Sequence, residues 1–334
     1  MNQRLRRLLA AASTTLCAIA SVAGCSTADG SDEPSARPAP PGRYASPNPG
    51  SVNTYWIKAP DGLVVVDTLR TPDDARKAIA EIKKSGEPVV AVLLTHSHPD
   101  HVGGAAAFHE AFPDAPIYAS KATDRTMRED ERGFYPLARS ANPRFPARLT
   151  YADRTFEDGT PVRVGGLRLE TAGFAEGESD TATVYHRPDT GDLYSGDLAT
   201  GKVTPALIEG NTCGWLRILD RLGRRFPDAG TMYPGHGAPG PARTLIDDQR
   251  RYLRHVRALV RPAVAPTSPA GTALSPAEQK SVVAAVERAY PGYPPVADLP
   301  TIGQENVKAV ARELAAEDPA HLPTACADPA RQGG

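Results

Sequence analysis

The chain has 334 residues, is 40% hydrophobic and 23% charged, and carries a formal net charge of -1. This composition is ordinary for a globular protein, and the length suits one large domain or two medium ones. The near-zero charge argues against nucleic acid as a partner, because nucleic-acid-binding domains usually carry a strongly basic face. After the first 25 residues, no stretch is apolar for long enough to span a bilayer.

The N-terminal residues are typical of a bacterial export signal. Three arginines precede a short apolar run, which closes on small residues and Cys25. This pattern resembles the bacterial lipoprotein signal, in which the cysteine receives a diacylglycerol and the chain is cut just before it. The resemblance implies a signal peptide over residues 1–24 and a lipid anchor on Cys25, at the outer face of the cytoplasmic membrane. An ordinary cleaved signal with a chance cysteine is the alternative.

Residues 25–48 are rich in proline, serine, glycine and aspartate and contain almost no apolar side chain. Such a segment cannot bury a core, so we predict a flexible tether. Beyond it, Cys213 and Cys326 are the remaining cysteines. Outside the cytoplasm they could form a disulfide, but two separate buried thiols would give the same sequence.

The first half of the folded part alternates strands and helices. The sequence Pro-Asp-Gly at residues 60–62 predicts a turn between two strands. Thr71 followed by Pro72 predicts a helix start, and Gly86 a helix end. The predicted strands are two within 52–68, one at 89–94 and one at 117–118, and the predicted helices are 72–85, 103–112 and one after Ser120.

Residues 131–147 are irregular and proline-rich, and we predict a loop that could lie over a site. Short strands separated by turns follow over residues 149–195. The later segments are mostly helical. Four helices are predicted: one that includes Trp215, one over about 241–260, one that begins at the capping box of Ser275 and Glu278, and one over about 304–316.

Strand pairs that alternate with helices predict a mixed α/β sandwich in one domain. We place this domain at residues 49–262. Residues 263–334 are predicted to form a C-terminal helical extension and tail that packs on it.

The strongest functional pattern is His96-x-His98-x-Asp100-His101, directly after an apolar strand. Buried imidazoles and carboxylates must be paired or bound to a metal. His96 and His98 suit one ion, while Asp100 and His101 suit another. Neutral imidazole and carboxylate are ligands for zinc or a similar divalent ion.

This run is similar to the HxHxDH signature of the metallo-β-lactamase fold superfamily, and the resemblance extends over about residues 50–240. Further positions match in order: Asp67 after an apolar strand, Asp197 after Gly196, and His236 between glycines. The resemblance implies a four-layer αβ/βα sandwich. It also implies that Asp197 bridges two metal ions, that His236 is the last ligand, and that Asp67 supports a ligand from behind.

One family position departs from the pattern. The superfamily normally supplies a third histidine for the first metal, but residues 172–181 contain none. Aligning Asp180-Thr181 with the family's usual motif puts Glu176 in its place, with Glu178 as the runner-up. His186 is a poor substitute, and loss of the ligand is a further alternative.

The resemblance implies metal-dependent hydrolysis of a small-molecule substrate. A hydroxide that bridges two ions, most simply zinc with manganese or iron as alternatives, would attack an ester, lactone, thioester or amide. Asp100 would hold the second metal and orient the nucleophile or move its proton. The fold does not select the substrate. β-Lactamase activity is possible but not favoured, because no lactam-specific residue is visible.

The rival hypothesis is a non-catalytic metal- or ligand-binding lipoprotein that retains a degenerate form of the same fold. The missing histidine supports it, and the retention of the other ligands argues against it. The sequence leaves the oligomeric state open.

A glutamate in place of the histidine predicts a shift in pH dependence. Two divalent ions carry four positive charges, and Asp100 and Asp197 offset two of them. A third carboxylate at Glu176 lowers the net charge of the centre to +1. Such a centre acidifies its bound water less than the usual family centre, whose water has a pKa of about 7. We predict an alkaline activity optimum, or a preference for a harder ion such as manganese. A pH–rate profile of the zinc form that stays flat down to about pH 6 would contradict this.

Overall fold

The computed structural model describes residues 38–47, 52–264, 274–296, 301–318 and 321–326. The predicted signal peptide and Cys25 lie outside these residues. Within the described part of the chain, no helix is both long and apolar enough to cross a membrane.

Two six-stranded sheets form the centre of the fold. The first contains, in spatial order, β1 (Gly42–Ala45), β2 (Asn53–Ala59), β3 (Gly62–Val66), β4 (Val89–Leu93), β5 (Ile117–Ser120) and β6 (Arg154–Phe156). The second contains β12 (Gly240–Pro241), β11 (Thr231–Pro234), β10 (Asp192–Gly196), β9 (Ala182–Arg187), β8 (Leu167–Phe174) and β7 (Val162–Val164). Strands β3 to β6 pair in parallel, as do β10 and β11, and the other neighbours are antiparallel.

Helices cover the outer face of each sheet. The helices of the first half are α1 (Pro72–Lys83), α2 (Pro99–Val102), α3 (Ala105–Ala111), α4 (Lys121–Glu129) and α5 (Phe134–Ala141). Those of the second half are α6 (Thr212–Arg225), α7 (Ala242–Val260), α8 (Pro276–Ala289) and α9 (Ile302–Ala316). Apolar residues of α1, α3 and α4 bury one outer face, and those of α6 to α9 bury the other. A third apolar cluster fills the space between the sheets. The predicted four-layer α/β sandwich with a helical C-terminal region is confirmed.

Several helix starts follow from local side-chain chemistry. The Thr71 hydroxyl accepts a hydrogen bond from Asp74 N at the start of α1. Ser275 and Glu278 form the reciprocal capping box that their spacing predicts at the start of α8. These caps satisfy backbone N–H groups that have no partner inside the helix.

Two segments differ from the sequence-based predictions. Within the predicted tether, residues 42–45 form β1 and pair with β2, and Arg43 Nε donates to Asn53 Oδ1 at 3.0 Å. Within the predicted loop 131–147, residues 134–141 form α5. This helix starts where the Asp130 carboxylate accepts hydrogen bonds from Phe134 N and Tyr135 N. Both segments are positioned by polar contacts, β1 through Asn53 and α5 through Asp130, which the composition of the segments does not reveal.

Of the two alternatives for the cysteines, the structure contains the disulfide between Cys213 and Cys326. It connects the start of α6 to a short 3₁₀ turn at Thr324–Cys326, across a sequence separation of 113 residues. A cross-link that closes such a long loop restricts the unfolded chain strongly.

Replacing both cysteines, Cys213→Ser with Cys326→Ser, is expected to lower the free energy of unfolding by about 2–5 kcal/mol. Chemical denaturation followed by circular dichroism measures this change. A reductant should shift the midpoint of the wild-type protein in the same direction and leave the double variant unchanged. An unchanged midpoint in the double variant would contradict the expected stabilisation.

Candidate metal centre

The predicted ligands lie where the two sheets meet. The run from His96 follows β4, Asp197 follows β10, and His236 follows β11. Isolated bridges between His96 and Ala182 and between Val52 and His236 join the two sheets at this point. The loops that carry the predicted residues therefore meet at one end of the sandwich.

The buried ligand atoms form two groups, each with its atoms within 4.8 Å of one another. The first group is His96, His98, Glu178 and Asp197, and the second group is Asp100, His101 and His236. Asp197 lies between them, with Oδ1 at 3.3 Å from His101 Nε2 and Oδ2 at 3.2 Å from His236 Nε2. The side chains are therefore grouped as the predicted division places them, and Asp197 lies within reach of both groups.

The acid in the first group is Glu178, and the preference for Glu176 is corrected. Glu176 is exposed and has a left-handed backbone, with φ of 61°. Glu178 is buried, and its Oε1 lies 3.1 Å from His98 Nδ1. Gly177 between them packs against Ile218, where a side chain would clash. The turn therefore brings the second glutamate inward and leaves the first in solvent, and His186 lies outside both groups.

Asp67 holds two of the imidazoles from behind. It accepts hydrogen bonds from Thr95 N at 2.8 Å, from Thr95 Oγ1 at 2.7 Å and from His101 Nδ1 at 2.8 Å. Because the Thr95 hydroxyl donates to Asp67, it accepts from His96 Nδ1 at 2.9 Å. The His96 ring thus keeps Nε2 free of hydrogen, and both rings aim Nε2 into the centre, as in metal sites whose ligands are oriented by a carboxylate.

Two further contacts were not identified from the sequence. His98 Nε2 lies 3.0 Å from Glu209 Oε1, and Asp100 Oδ2 accepts a hydrogen bond from Arg70 at 3.0 Å. Glu209 stands in an irregular loop with no motif around it. Arg70 follows Asp67 closely, but no spacing rule pairs it with Asp100.

The electrostatics follow from deep burial and close charges. Burial, with the neighbouring histidines, holds the pKa of His96 well below its usual value, so the ring is neutral. Burial alone would raise the pKa of Asp100, but the Arg70 guanidinium and a hydrogen bond with His236 hold it well below its usual range. Burial alone would lower the pKa of His236, but Asp197 and Asp100 raise it to about 9. A cation that binds here must therefore displace a proton from His236 at neutral pH.

Four inward-facing atoms make no hydrogen bond to any part of the chain that the structure describes. They are His96 Nε2, His101 Nε2, Glu178 Oε2 and Asp197 Oδ1. Opposing pairs lie 3.3–3.8 Å apart across the centre. Buried polar atoms without partners are costly, and divalent cations would satisfy all four. The donor set, four imidazoles and three carboxylates, fits two such ions.

A cavity of about 340 Å³ opens beside the two groups. Its floor contains Asp100, Glu178, Asp197 and other ligand side chains. Its apolar lining, called the apolar wall below, comes from α5 and two loops, namely Phe134, Leu137, Ala138, Ala141, Ala206, Ile208 and Val296. Arg70, Asn142 and Arg144 add polar groups to the lining. A small molecule with an apolar part can therefore reach the candidate ligands.

A model of the metallo-beta-lactamase superfamily matches residues 47–267. The chain belongs to this superfamily. The match includes the predicted ligands from His96 to His236, and the fold implied by the resemblance is the one observed.

Curated relatives of this superfamily member are hydrolases. It is 28% identical over 243 residues to a linear primary-alkylsulfatase of Pseudomonas sp., covering 61% of this chain and 45% of the relative. It is 28% identical over 165 residues to a hydroxyacylglutathione hydrolase of Thermosynechococcus vestitus, covering 49% of this chain and 56% of the relative. The chain thus spans about half the length of these relatives. A beta-lactamase domain protein from Burkholderia ambifaria shares the fold, with 21% identity, a TM-score of 0.58, and coverage of 82% of this chain and 84% of that one.

The two neighbouring glutamates provide a matched test of the centre. Glu178→Gln removes a charged ligand candidate, so the affinity for the first of two zinc ions should fall by at least about 100-fold, more than the usual effect of a supporting residue. Glu176→Gln changes an exposed side chain and should leave both affinities unchanged. Competition with a chromogenic chelator measures them. Equal affinities in the two variants would exclude Glu178 as a ligand.

Proposed function

We propose that this protein is a metal-dependent hydrolase with two zinc ions, acting on a small-molecule ester or thioester that carries an apolar chain. One observation carries the proposal: seven buried imidazoles and carboxylates lie in two groups, and five of them line a cavity that also has apolar lining residues. Lactones and amides, including β-lactams, present the same electrophilic carbonyl and are secondary candidates. Four imidazoles favour zinc, while manganese or iron would also suit the three carboxylates.

The chain's own residues have separable tasks. Two divalent ions bound here would supply an activated water and stabilise the developing anion. Asp197 faces both groups and is suited to hold them at a fixed separation. Asp100 stays ionised beside Arg70 and borders the cavity, so it can orient a nucleophile or accept its proton. Asp67 fixes ring orientation and does not touch the cavity.

The apolar wall supports a substrate with an alkyl or acyl chain. Leu137 is 58% exposed, and exposing a large aliphatic side chain to water costs free energy. An alkyl or acyl chain bound against it would remove that cost. Alkyl sulfates belong in the substrate panel, because one relative is named an alkylsulfatase. Thioesters belong there because others are named hydroxyacylglutathione hydrolases.

We also propose that the protein is exported and anchored in the bacterial envelope through lipid on Cys25. The charged, apolar and small-residue pattern before Cys25 supports this. The disulfide between Cys213 and Cys326 is consistent with an oxidising compartment.

The decisive experiment measures metal content and turnover of the purified chain over a panel of alkyl sulfates, acyl esters, thioesters, lactones and a cephalosporin, each ester in several chain lengths. Two ions per chain are expected, with kcat/KM that rises with chain length. His236→Gln should lower turnover by at least about 100-fold, since it removes a ligand candidate. His255→Gln, on the distant helix α7, is the control and should have no effect. One tightly bound ion without turnover of any substrate would favour the non-catalytic alternative.

A further inference from the structure

His98 makes a contact on the side of its ring that faces away from the first group. Its Nε2 lies 3.0 Å from Glu209 Oε1, and the Glu209 side chain is only 6% exposed. Because a carboxylate can only accept, His98 Nε2 carries a proton toward Glu209, which leaves Nδ1 as the ring nitrogen that an ion in the first group could take. Glu209 therefore fixes both the tautomer and the orientation of His98.

The second oxygen of Glu209 connects to the segment that precedes α5. Glu209 Oε2 lies 3.2 Å from Arg132. Arg132 also donates two hydrogen bonds to Asp180, at 2.7 Å from Nε and 2.6 Å from Nη2. A continuous line of charged side chains thus runs from His98 to the chain that enters α5, the helix of the apolar wall.

Helix α5 depends on such contacts, because none of its residues, all of which the structure describes, is buried. Other contacts attach it as well: Tyr135 Oη donates to the Ser97 carbonyl at 2.8 Å, the Tyr135 ring stacks on Phe145, and the Phe134 ring meets the His98 ring edge-on at 5.4 Å. A helix of eight residues without a buried side chain is marginal by itself, so these contacts determine how often it opens.

Glu209 is itself held in a rigid place. Leu207 N donates to Asn306 Oδ1 at 2.6 Å, and Asn306 Nδ2 donates to the Pro205 carbonyl at 2.8 Å. On the other side, the Glu313 carboxylate accepts from Thr212 N at 2.9 Å. The C-terminal helix α9 therefore holds the loop that carries Glu209 on both sides.

We propose that Glu209 is a positioning residue that couples ion occupancy of the first group to closure of α5 over the cavity, through Arg132. The inference rests on the proposed metal centre. With an ion at Nδ1, the His98 ring could not turn, and Glu209 would stay paired with both His98 and Arg132. The apolar wall would then be held more firmly when the centre is loaded than when it is empty.

Hydrogen–deuterium exchange of the full-length protein, with and without zinc, tests this coupling. Zinc should slow exchange in peptides of residues 134–145 in the wild-type protein. Arg132→Gln should abolish this effect while leaving zinc affinity within a few-fold. Arg128→Gln is the matched control, because Arg128 makes a similar bidentate pair with Asp124 on an exposed face. It should behave as the wild type.

Two substitutions separate the two tasks of Glu209. Glu209→Leu should weaken zinc binding by about 10–100-fold, the usual effect of losing a supporting partner, and also abolish the protection of α5. Glu209→Gln keeps an acceptor for His98, so zinc affinity should largely recover, while the protection of α5 stays lost. If zinc binds the wild type but leaves α5 exchange unchanged, or if Glu209→Leu binds zinc normally, the coupling is wrong and the metal centre stands. If the wild type binds no zinc, both proposals fail.

Discussion

Where the two sheets meet, the structure contains a cluster of buried ionisable side chains whose charge cations would offset. Seven ionisable side chains lie in two groups, and every one of them is buried. Removing carboxylates and imidazoles from water costs several kcal/mol for each charged group unless partners replace the lost hydration. Some of that replacement is internal, through Arg70, Thr95 and Asp67. Four inward-facing atoms keep no hydrogen-bond partner in the described part of the chain, and bound cations would supply one beside the apolar core.

The scaffold makes this arrangement possible by fixing the ligands from outside. Asp67 has a left-handed backbone, with φ of 60°, directly after β3. That conformation is costly for a residue other than glycine, and it places the carboxylate under the end of β4. From there one side chain orients His101 directly and His96 through Thr95. At the opposite side, Gly235 leaves room for Asp197, since a side chain there would lie within 2.1 Å of its Oδ1.

Much of the fold and most of the site could be predicted from the sequence, because their determinants are local. The run from His96 to His101 follows an apolar strand, and its spacing alone separates the ligands into two sets. The choice between Glu176 and Glu178 could not be made in this way. It depends on how Gly177 packs against Ile218, a contact across 41 positions of the chain that no motif encodes.

The same reason explains the other differences. Strand β1 and helix α5 are fixed by hydrogen bonds that involve Asn53 and Asp130, and they lie in segments whose proline-rich composition predicts a tether and a loop. Glu209 was missed because its role is defined only by its distance to His98. Sequence patterns identify functional residues that are close together in the sequence. They do not identify a residue such as Glu209, which contacts the site from a loop that is distant in the sequence.

The replacement of a histidine by Glu178 and the presence of Glu209 have a joint consequence for His98. Its two ring nitrogens lie 3.1 Å from Glu178 Oε1 and 3.0 Å from Glu209 Oε1, so one imidazole is flanked by two carboxylates. Burial lowers the pKa of His98, but these two acids more than offset it and raise the pKa well above its usual value. A proton on Nδ1 therefore satisfies Glu178 when no ion is bound, and an ion must displace that proton to enter. A neutral histidine in place of Glu178 would offer no negative charge to that proton. The His98 ring is therefore the side chain on which both a protonated first group and a metal-bound one would depend.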